Sequence, residues 1–328
     1  MNRHKNIPKT PTIFSRLILA GLTVALATLG LQTSHAVLVR ESQIVNVPTG
    51  VLGAPGIGTA EGWGNPPGTG GPTVTNGAGS LIGTNLGLIA SEGDRVFIGT
   101  VSNLQTRNQF LGNVWTNQNV PSEGTNLYFS FLYKFNDVTR IGGTNILVRV
   151  NKQNSGTGLR QFFDVMARRV GDFIQVGIAK GISDSIAITN WAGTNISAGA
   201  TIFLVVRYHL KPGWSNDVAY LWVNPPAASF GAPENNLPPP SAVAGDSPPY
   251  GDEDATGSNP GRFAIGSGVD AEFDELRIGT TWADVTPWFG MCVNPTIVAP
   301  PTNMTIAAGL SHTFRVAASG TGRTYQWQ

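Results

Sequence analysis

Short runs in which apolar and polar residues alternate recur along this chain, and they constrain the fold more than any other feature. In the segment Asn126–Phe135, Phe129 and Phe131 flank Ser130. Alternation with a period of two is typical of a β-strand with one buried face. The same pattern, bounded by Gly, Asn, Asp or Pro, occurs in four more runs: Asn145–Asn151, Phe173–Ala179, Thr201–Leu210 and Asp217–Asn224. The chain is therefore predicted to consist mainly of short strands.

Composition and fully apolar runs favour two packed sheets. The run Ile202-Phe-Leu-Val-Val206 is apolar at every position, as in a strand that is covered on both faces. The chain contains 41 Gly and 22 Pro and only 12% charged residues, which suits many strands joined by turns. No long amphipathic helix is predicted. These observations predict an all-β fold, a two-sheet jelly-roll sandwich.

The segment Phe273–Trp288 is predicted to close this sandwich. Its first part alternates Leu276 and Ile278 with Glu275 and Arg277. We expect the two apolar side chains in the core and interpret the two charged ones as exposed neighbours.

A short capped helix is predicted to follow that strand. Thr281 lies three positions before Asp284, which is the spacing of a capping box, and Pro287 ends the turn. Trp282 in this turn and Trp222 in a strand pattern are expected to be structural.

The first 36 residues have the pattern of a secretory signal. A basic region, an apolar stretch and a small-x-small site follow one another: Arg3, Lys5, Lys9 and Arg16, then Leu17–Leu31, then Ser34-His35-Ala36. We expect cleavage after Ala36 and an extracellular or cell-surface location. An uncleaved anchor is the alternative, but the apolar stretch is shorter than the roughly 20 residues that span a bilayer. No later segment is predicted to cross a membrane.

Net charge argues against several classes of partner. The whole chain has 21 Lys and Arg against 20 Asp and Glu, and four of the basic residues lie in the predicted signal. The remainder has 17 basic and 20 acidic residues, a net charge of −3. Without a basic excess, the chain is not expected to bind nucleic acid or anionic lipid. The only cysteine, Cys292, excludes an intrachain disulfide and is expected to be a structural thiol.

The patterns divide the chain into three parts: a signal peptide over residues 1–36, the jelly-roll domain over residues 37–292, and the start of an immunoglobulin-like domain over residues 293–328. In the last part, Pro295–Pro301 has the pattern of a linker and first strand, and Trp327 is the expected core tryptophan. A complete domain of this kind needs about 100 residues. We therefore expect the sequence to be a fragment of a longer secreted protein.

Four segments carry a family resemblance: Tyr128-Phe-Ser-Phe-Leu-Tyr-Lys134, Phe203-Leu-Val-Val-Arg-Tyr208, Ala219-Tyr-Leu-Trp-Val-Asn-Pro225 and Phe273-Asp-Glu-Leu-Arg-Ile-Gly-Thr-Thr-Trp282. In order and spacing they resemble the concanavalin A-like, laminin-G-like domains of large secreted proteins of Verrucomicrobia and Planctomycetes, which immunoglobulin-like repeats often follow. The resemblance covers roughly Val37 to Pro287 and implies a two-sheet jelly roll used for glycan binding or adhesion.

A catalytic site is not predicted. Jelly-roll glycosidases of the laminarinase type carry Glu-x-Asp-x-x-Glu on one strand, which places the carboxylates on one face. The nearest match is Glu272-Phe-Asp274-Glu275-Leu-Arg277, with arginine in place of the second glutamate. His209 and His312, which lie in different predicted domains, are the only histidines after residue 36, so neither a Ser-His-Asp set nor a zinc site is assembled.

Three tryptophans are candidate ligand-binding residues. Trp63, Trp191 and Trp214 lie among Gly, Asn and Ser rather than in apolar runs. A flat aromatic ring on a loop can stack against a sugar face. The alternative is that each ring fills the edge of the sandwich.

An acidic loop is a candidate calcium site. Asp246, Asp252, Glu253 and Asp254 lie between Asn224 and Gly261, and Asp246, Asp252 and Asp254 are the predicted ligands. Calcium takes six to eight oxygen ligands, which acidic loops can supply. A solvated acidic turn is the simpler alternative.

We therefore predict a secreted non-catalytic module that binds polysaccharide or a cell-surface glycan within a larger extracellular protein. A structural or adhesive spacer without a defined ligand is the first alternative, and a glycoside hydrolase or lyase is the second. No cofactor other than calcium is predicted.

Overall fold

The computed structural model describes most of the predicted jelly-roll domain and a few later residues. The described residues are 38–42, 49–52, 63–64, 72–91, 93–99, 107–110, 124–152, 161–180, 189–211, 216–245, 260–266, 269–287, 296–299, 305–307, 309, 313 and 316–319. The predicted signal peptide, Cys292 and Trp327 lie outside them. Among the described residues, no helix has the length and apolar character needed to cross a membrane.

The described chain is almost entirely β-structure, which confirms the predicted fold class. Its strands are β1 Leu38–Ser42, β2 Gly50–Val51, β3 Trp63–Gly64, β4 Thr73–Val74, β5 Val96–Ile98, β6 Arg107–Phe110, β7 Thr125–Phe135, β8 Thr144–Lys152, β9 Gln161–Val170, β10 Phe173–Lys180, β11 Asn190–Trp191, β12 Thr201–Leu210, β13 Val218–Val223, β14 Ala242–Ala244, β15 Pro260–Ile265, β16 Ala271–Gly279, β17 Thr296–Ala299 and β18 Ala317–Ser319. The five runs predicted from alternation are confirmed as β7, β8, β10, β12 and β13. One α-helix, α1 Trp282–Val285, is present in this part of the chain.

Two antiparallel sheets form the sandwich. The nine-stranded sheet has the order β14-β13-β12-β7-β16-β5-β4-β2, and β1 pairs with β16 beside this path. The seven-stranded sheet has the order β11-β10-β9-β8-β15-β6-β3. Strands β17 and β18 form a separate antiparallel pair. The boundary at residue 293 and the immunoglobulin-like assignment remain predictions.

Aromatic side chains fill the space between the sheets. Phe129 and Phe131 of β7 point toward β15, where Phe263 lies 5.9 Å from each of their ring centroids. Phe273 of β16 lies 5.4 Å from Phe131. All four rings are buried, and burial of each stabilises the fold by about 1.5–3 kcal/mol. The alternation seen in the sequence therefore marks the faces that form the core.

A second apolar cluster covers the outer face of the nine-stranded sheet. It contains Trp222 of β13, Trp282 of α1 and Phe230 from the loop after β13. The two indole centroids are 5.0 Å apart, and the Trp282 Nε1–H donates to the Ser229 carbonyl oxygen at 2.7 Å. The Trp222 Nε1–H donates to the Pro238 carbonyl oxygen at 2.8 Å. The structural roles expected for both tryptophans agree with this packing, and part of the long loop after Asn224 serves as their cover.

The capping box predicted after β16 is confirmed. Thr281 Oγ1 accepts a hydrogen bond from the Asp284 N–H, and Asp284 Oδ2 accepts from the N–H groups of Thr281 and Thr280 at 2.8 and 2.9 Å. These bonds satisfy donors that a helix start leaves open. They hold α1, and with it Trp282, against the sheet.

The predicted exposure of Glu275 and Arg277 is wrong, although Leu276 and Ile278 are buried as expected. The side chains of Glu275 and Arg277 are only 10% and 7% exposed. Glu275 has φ of 54° and lies at a bulge between β16 and β7, which turns its side chain out of the regular alternation. The two side chains line a small pocket that is also lined by Leu88, Ile89, Ser91, Ser130, Phe203 and Pro287.

Candidate functional site

The predicted binding tryptophans are not brought together. Trp63 in β3 and Trp191 in β11 are at opposite edges of the seven-stranded sheet, with five strands between them. Trp63 is only 2% exposed, and its ring meets Phe273 edge-on at 6.4 Å. This placement matches the alternative in which the ring packs within the sandwich. Trp191 is partly exposed, and Trp214 lies outside the described residues.

Trp191 lies over a glycine on the outer face of its sheet. Its register partner is Gly177 of β10, whose neighbours Val176 and Ile178 point into the core. A Cβ at Gly177 would lie 2.8 Å from Trp191 Cε3 and 2.7 Å from the Asn190 carbonyl oxygen. Because that space is too small for a methyl group, glycine is required for the indole to approach the strand.

An arginine contacts the Trp191 ring. The guanidinium carbon of Arg168 in β9 lies 4.4 Å from the ring centroid, within the range of a cation–π contact. Arg168 Nε–H and Nη2–H donate to Gln175 Oε1 at 3.2 and 2.8 Å, and Gln175 Nε2–H donates to Asn195 Oδ1 at 3.0 Å. Trp191, Arg168, Gln175 and Asn195 are named here the tryptophan patch.

Backbone pairing holds the segment that bears the tryptophan patch. The N–H of Ala192 donates to the Val176 carbonyl oxygen at 2.9 Å. Ile196 and Ile174 exchange both backbone hydrogen bonds, each at 2.9 Å. These bonds extend along β10 beyond the two residues of β11 and fix the position of Trp191.

Farther across the same face, an arginine and an aspartate form a two-point ion pair. Arg149 of β8 is the register partner of Asp164 of β9, and its Nε and Nη2 lie 2.7 and 2.8 Å from the two carboxylate oxygens. Burial raises the pKa of the Asp164 carboxyl above its ordinary value of 3.8, although Arg149 acts in the opposite direction. The pair is a rigid polar feature of this sheet.

The outer face of the nine-stranded sheet also carries polar groups. Tyr128 Oη–H donates to Glu234, with Oη 2.6 and 2.7 Å from the two carboxylate oxygens, and burial raises the Tyr128 pKa. The Arg207 guanidinium carbon lies 3.9 Å from the ring centroid of Tyr220. His209 Nδ1 is 2.7 Å from Asn126 Oδ1, and the imidazole is partly exposed.

The acids of the motif nearest to a glycosidase signature lie on this covered face. Glu272 is held by Arg95 at 2.6 Å and by Lys134 at 2.9 Å. Asp274 accepts from the N–H groups of Leu81 and Glu275 at 2.8 and 2.9 Å. Burial raises the pKa of Asp274, and the nearby Glu275 charge raises it further. Each acid therefore has partners within the fold.

The predicted calcium ligands Asp246, Asp252 and Asp254 lie outside the described residues. Within the part of the chain that the structure describes, no three His, Cys, Asp or Glu side chains are grouped as metal ligands. Calcium binding therefore stays a prediction.

Sequence reasoning did not identify the residues around Trp191. A glycine inside an apolar strand can indicate close approach of another group, so Gly177 carried a usable signal. Gln175 is a polar position of the predicted strand Phe173–Ala179, whereas Arg168 lies outside the runs predicted from alternation. Their contact with Trp191 depends on the strand order β11-β10-β9, which alternation alone does not specify.

Comparisons with known proteins return structures but no sequence relatives. No protein-family model matches the chain, and no curated protein is similar in sequence. Similar solved structures include an endo-β-1,4-glucuronan lyase from the fungus Trichoderma reesei, with 11% identity, a TM-score of 0.40 and coverage of 69% of this chain and 94% of the lyase.

Two further similar structures are a lectin and a CBM2 module. Peanut lectin has 9% identity, a TM-score of 0.34 and coverage of 64% of this chain and 98% of the lectin chain. The CBM2 module of an evolved Dit protein of Lactobacillus casei BL23 phage J-1 has 10% identity, a TM-score of 0.32 and coverage of 68% and 94%. At these TM-scores, the fold assignment rests on the strands and sheets described above.

Proposed function

We propose that this protein is a secreted, non-catalytic module that binds a polysaccharide or cell-surface glycan through the outer face of its seven-stranded sheet. The observation that carries the proposal is the partly exposed Trp191, held on that face over Gly177. The apolar face of an aromatic ring offers a surface for the C–H groups of a sugar ring, and its rigidity limits the entropy lost on binding.

The neighbours of Trp191 suit a sugar ligand. Gln175 and Asn195 carry amide groups, and Arg168 adds a guanidinium that lies over the ring. A small number of polar groups around an aromatic surface is typical of sites that orient a ligand by hydrogen bonds. The other sheet is less suited, because its outer face carries the cover formed by Trp222, Trp282 and the loop after β13.

Two predicted features extend this proposal. Trp214 would add a second aromatic surface, and Asp246, Asp252 and Asp254 would hold a calcium ion. Chelation would then weaken glycan binding without abolishing the fold of the sandwich. Trp63, with its ring in the core, would contribute through the stability of the sheet edge.

Binding to a panel of insoluble and arrayed polysaccharides tests the proposal, with calcium and with chelator. The decisive pair of variants is Trp191→Ala and Tyr220→Ala. Both positions are partly exposed aromatics contacted by an arginine, and they lie on opposite sheets. We expect retention by the wild type and by the Tyr220 variant, and loss in the Trp191 variant.

Other outcomes would support the alternatives. If no glycan is retained in either condition, a structural or adhesive spacer becomes the better account. If incubation with a bound polysaccharide releases new reducing ends or unsaturated sugars, the non-catalytic part of the proposal is overturned.

A further inference from the structure

The charges of the strands are distributed unequally between the two sheets. The strands of the nine-stranded sheet carry four basic and four acidic residues. Those of the seven-stranded sheet carry seven basic residues and one acidic residue: Arg107, Arg149, Lys152, Arg168, Arg169, Lys180 and Arg262 against Asp164. A chain with an acidic excess after residue 36 thus concentrates positive charge in the sheet that bears Trp191.

The contacts of the described arginines in this sheet show where that charge is balanced. Arg149 is paired at 2.7 Å with Asp164, the single acid of these strands. Arg168 donates to the neutral Gln175 at 2.8 Å. Arg169 Nε–H donates to the Gly171 carbonyl oxygen at 2.7 Å, and its Nη2 lies 3.9 Å from a carboxylate oxygen of Asp172. Arg168 is partly exposed and contacts the Trp191 ring, so its positive charge lies at the tryptophan patch.

We infer that the ligand is a polyuronate, a polysaccharide whose sugars carry carboxylates; this inference rests on the proposed glycan-binding function. A uronate carboxylate is attached directly to the pyranose ring. The Arg168 guanidinium carbon lies over the Trp191 ring, 4.4 Å from its centroid, so a sugar that packs against the exposed part of the indole has its carboxylate within reach of the guanidinium.

The geometry of Arg168 fits a carboxylate. Its Nε–H and Nη2–H, the two donors that match a carboxylate in a fork, both point at the single oxygen of the Gln175 amide. If the two oxygens of a ligand carboxylate replaced the Gln175 oxygen, both Arg168 N–H groups would stay hydrogen-bonded and an ionic interaction would be added. A neutral sugar would gain stacking without this ion pair.

The experiment compares one polymer in two forms, polygalacturonate and the same polymer with its carboxyl groups reduced to alcohols. Binding is measured by titration calorimetry at low and high salt, for the wild type, Arg168→Gln and Arg207→Gln. Arg207 is the matched control because it contacts Tyr220 on the other sheet.

We expect the acidic polymer to bind the wild type about tenfold or more tightly than the reduced polymer, since a charge-assisted hydrogen bond contributes about 1.5–3 kcal/mol. This advantage decreases with salt. In Arg168→Gln, the ratio of the affinities for the acidic and the reduced polymer falls toward one, whereas Arg207→Gln retains the ratio of the wild type. Near-ultraviolet circular dichroism of each variant checks folding, and Arg168→Lys restores part of the advantage if charge is the cause.

The opposing outcomes separate the two proposals. Equal binding of both polymers overturns the polyuronate inference and leaves glycan binding in place. Binding of a sulfated glycan, such as dextran sulfate, without binding of polygalacturonate also overturns it. No binding to any polysaccharide, neutral or acidic, overturns both.

Discussion

Arg149 and Asp164 are paired across two central strands of the seven-stranded sheet, with both carboxylate oxygens bonded to one guanidinium. The Asp164 side chain is only 3% exposed, and Arg149 is 12% exposed. A carboxylate buried this deeply destabilises the fold unless a counter-ion is present, because protein groups replace little of the hydration that the carboxylate loses. The pair therefore makes the stability of this sheet depend on both partners.

Arg149→Leu is expected to lower the free energy of unfolding by about 3 kcal/mol, because Asp164 is left buried and unpaired. The double variant Arg149→Leu/Asp164→Leu should recover most of this loss, since it removes both charges. Denaturant unfolding of the two variants measures the difference. Equal losses in the single and double variants would contradict the argument.

Gly177→Ala is expected to displace Trp191 from the sheet, because the new Cβ would lie 2.7–2.8 Å from atoms of β11. Overpacking of this kind costs about 1–3 kcal/mol. Gly193→Ala is the matched control, because its Cβ would meet nothing within 4 Å. Thermal unfolding and indole fluorescence check both variants. Unchanged spectra in Gly177→Ala would show that β11 does not need the glycine.

Asp284→Ala is expected to destabilise the fold by about 1–2 kcal/mol. The substitution leaves the N–H groups of Thr280 and Thr281 without their carboxylate acceptor at the start of α1. Asp172→Ala serves as control, because that side chain is 95% exposed in a turn. Chemical unfolding of the two variants should differ by that amount; a loss in the Asp172 variant as large as in the Asp284 variant would argue against the cap.

His209 is expected to titrate below its ordinary pKa of 6.5, because burial lowers the pKa and the charges of Lys211 and Arg207 lower it further. The unfolded chain then binds a proton more readily than the folded chain. The contribution of the His209 imidazole to stability is therefore complete above pH 6.5 and is lost as the pH falls through the folded-state pKa. Proton NMR of the imidazole measures the pKa directly. Arg207→Gln should raise the pKa of His209 toward 6.5. An unchanged or lower pKa in this variant would count against this account.

The strands could be predicted from sequence because their signal is local. Phe129 and Phe131 face the core because they alternate with Ser130, and that pattern is complete within a few residues. The capping box of Thr281 and Asp284 is equally local, and it is present. Each of these features depends on neighbours in the chain rather than on the tertiary fold.

Features that depend on distant segments could not be predicted in this way. Glu275 and Arg277 were assigned to solvent because they alternate with apolar residues, but residues of a distant segment cover them. The hydrogen bond from the Leu81 N–H to Asp274 joins that segment to β16 across 193 residues of sequence. Alternation distinguishes one face of a strand from the other but does not show what packs on either face.

The candidate site shows the same division. Trp191 was singled out by its polar surroundings, and it is partly exposed. Trp63 has similar surroundings but pairs with β6 and packs against Phe273 in the core. Only the strand order separates these two environments, and it also places Arg168 beside Trp191.

One side chain ties the two sheets together at the edge where Trp191 lies. The Asn190 Nδ2–H donates to the Val243 carbonyl oxygen at 2.7 Å, which joins β11 of one sheet to β14 of the other. Short edge strands open more easily than central ones. Because the Asn190 amide bonds to β14, opening of either β11 or β14 breaks this hydrogen bond. We therefore expect the two edges to open together, and a ligand that immobilised Trp191 would also slow amide hydrogen exchange in β14.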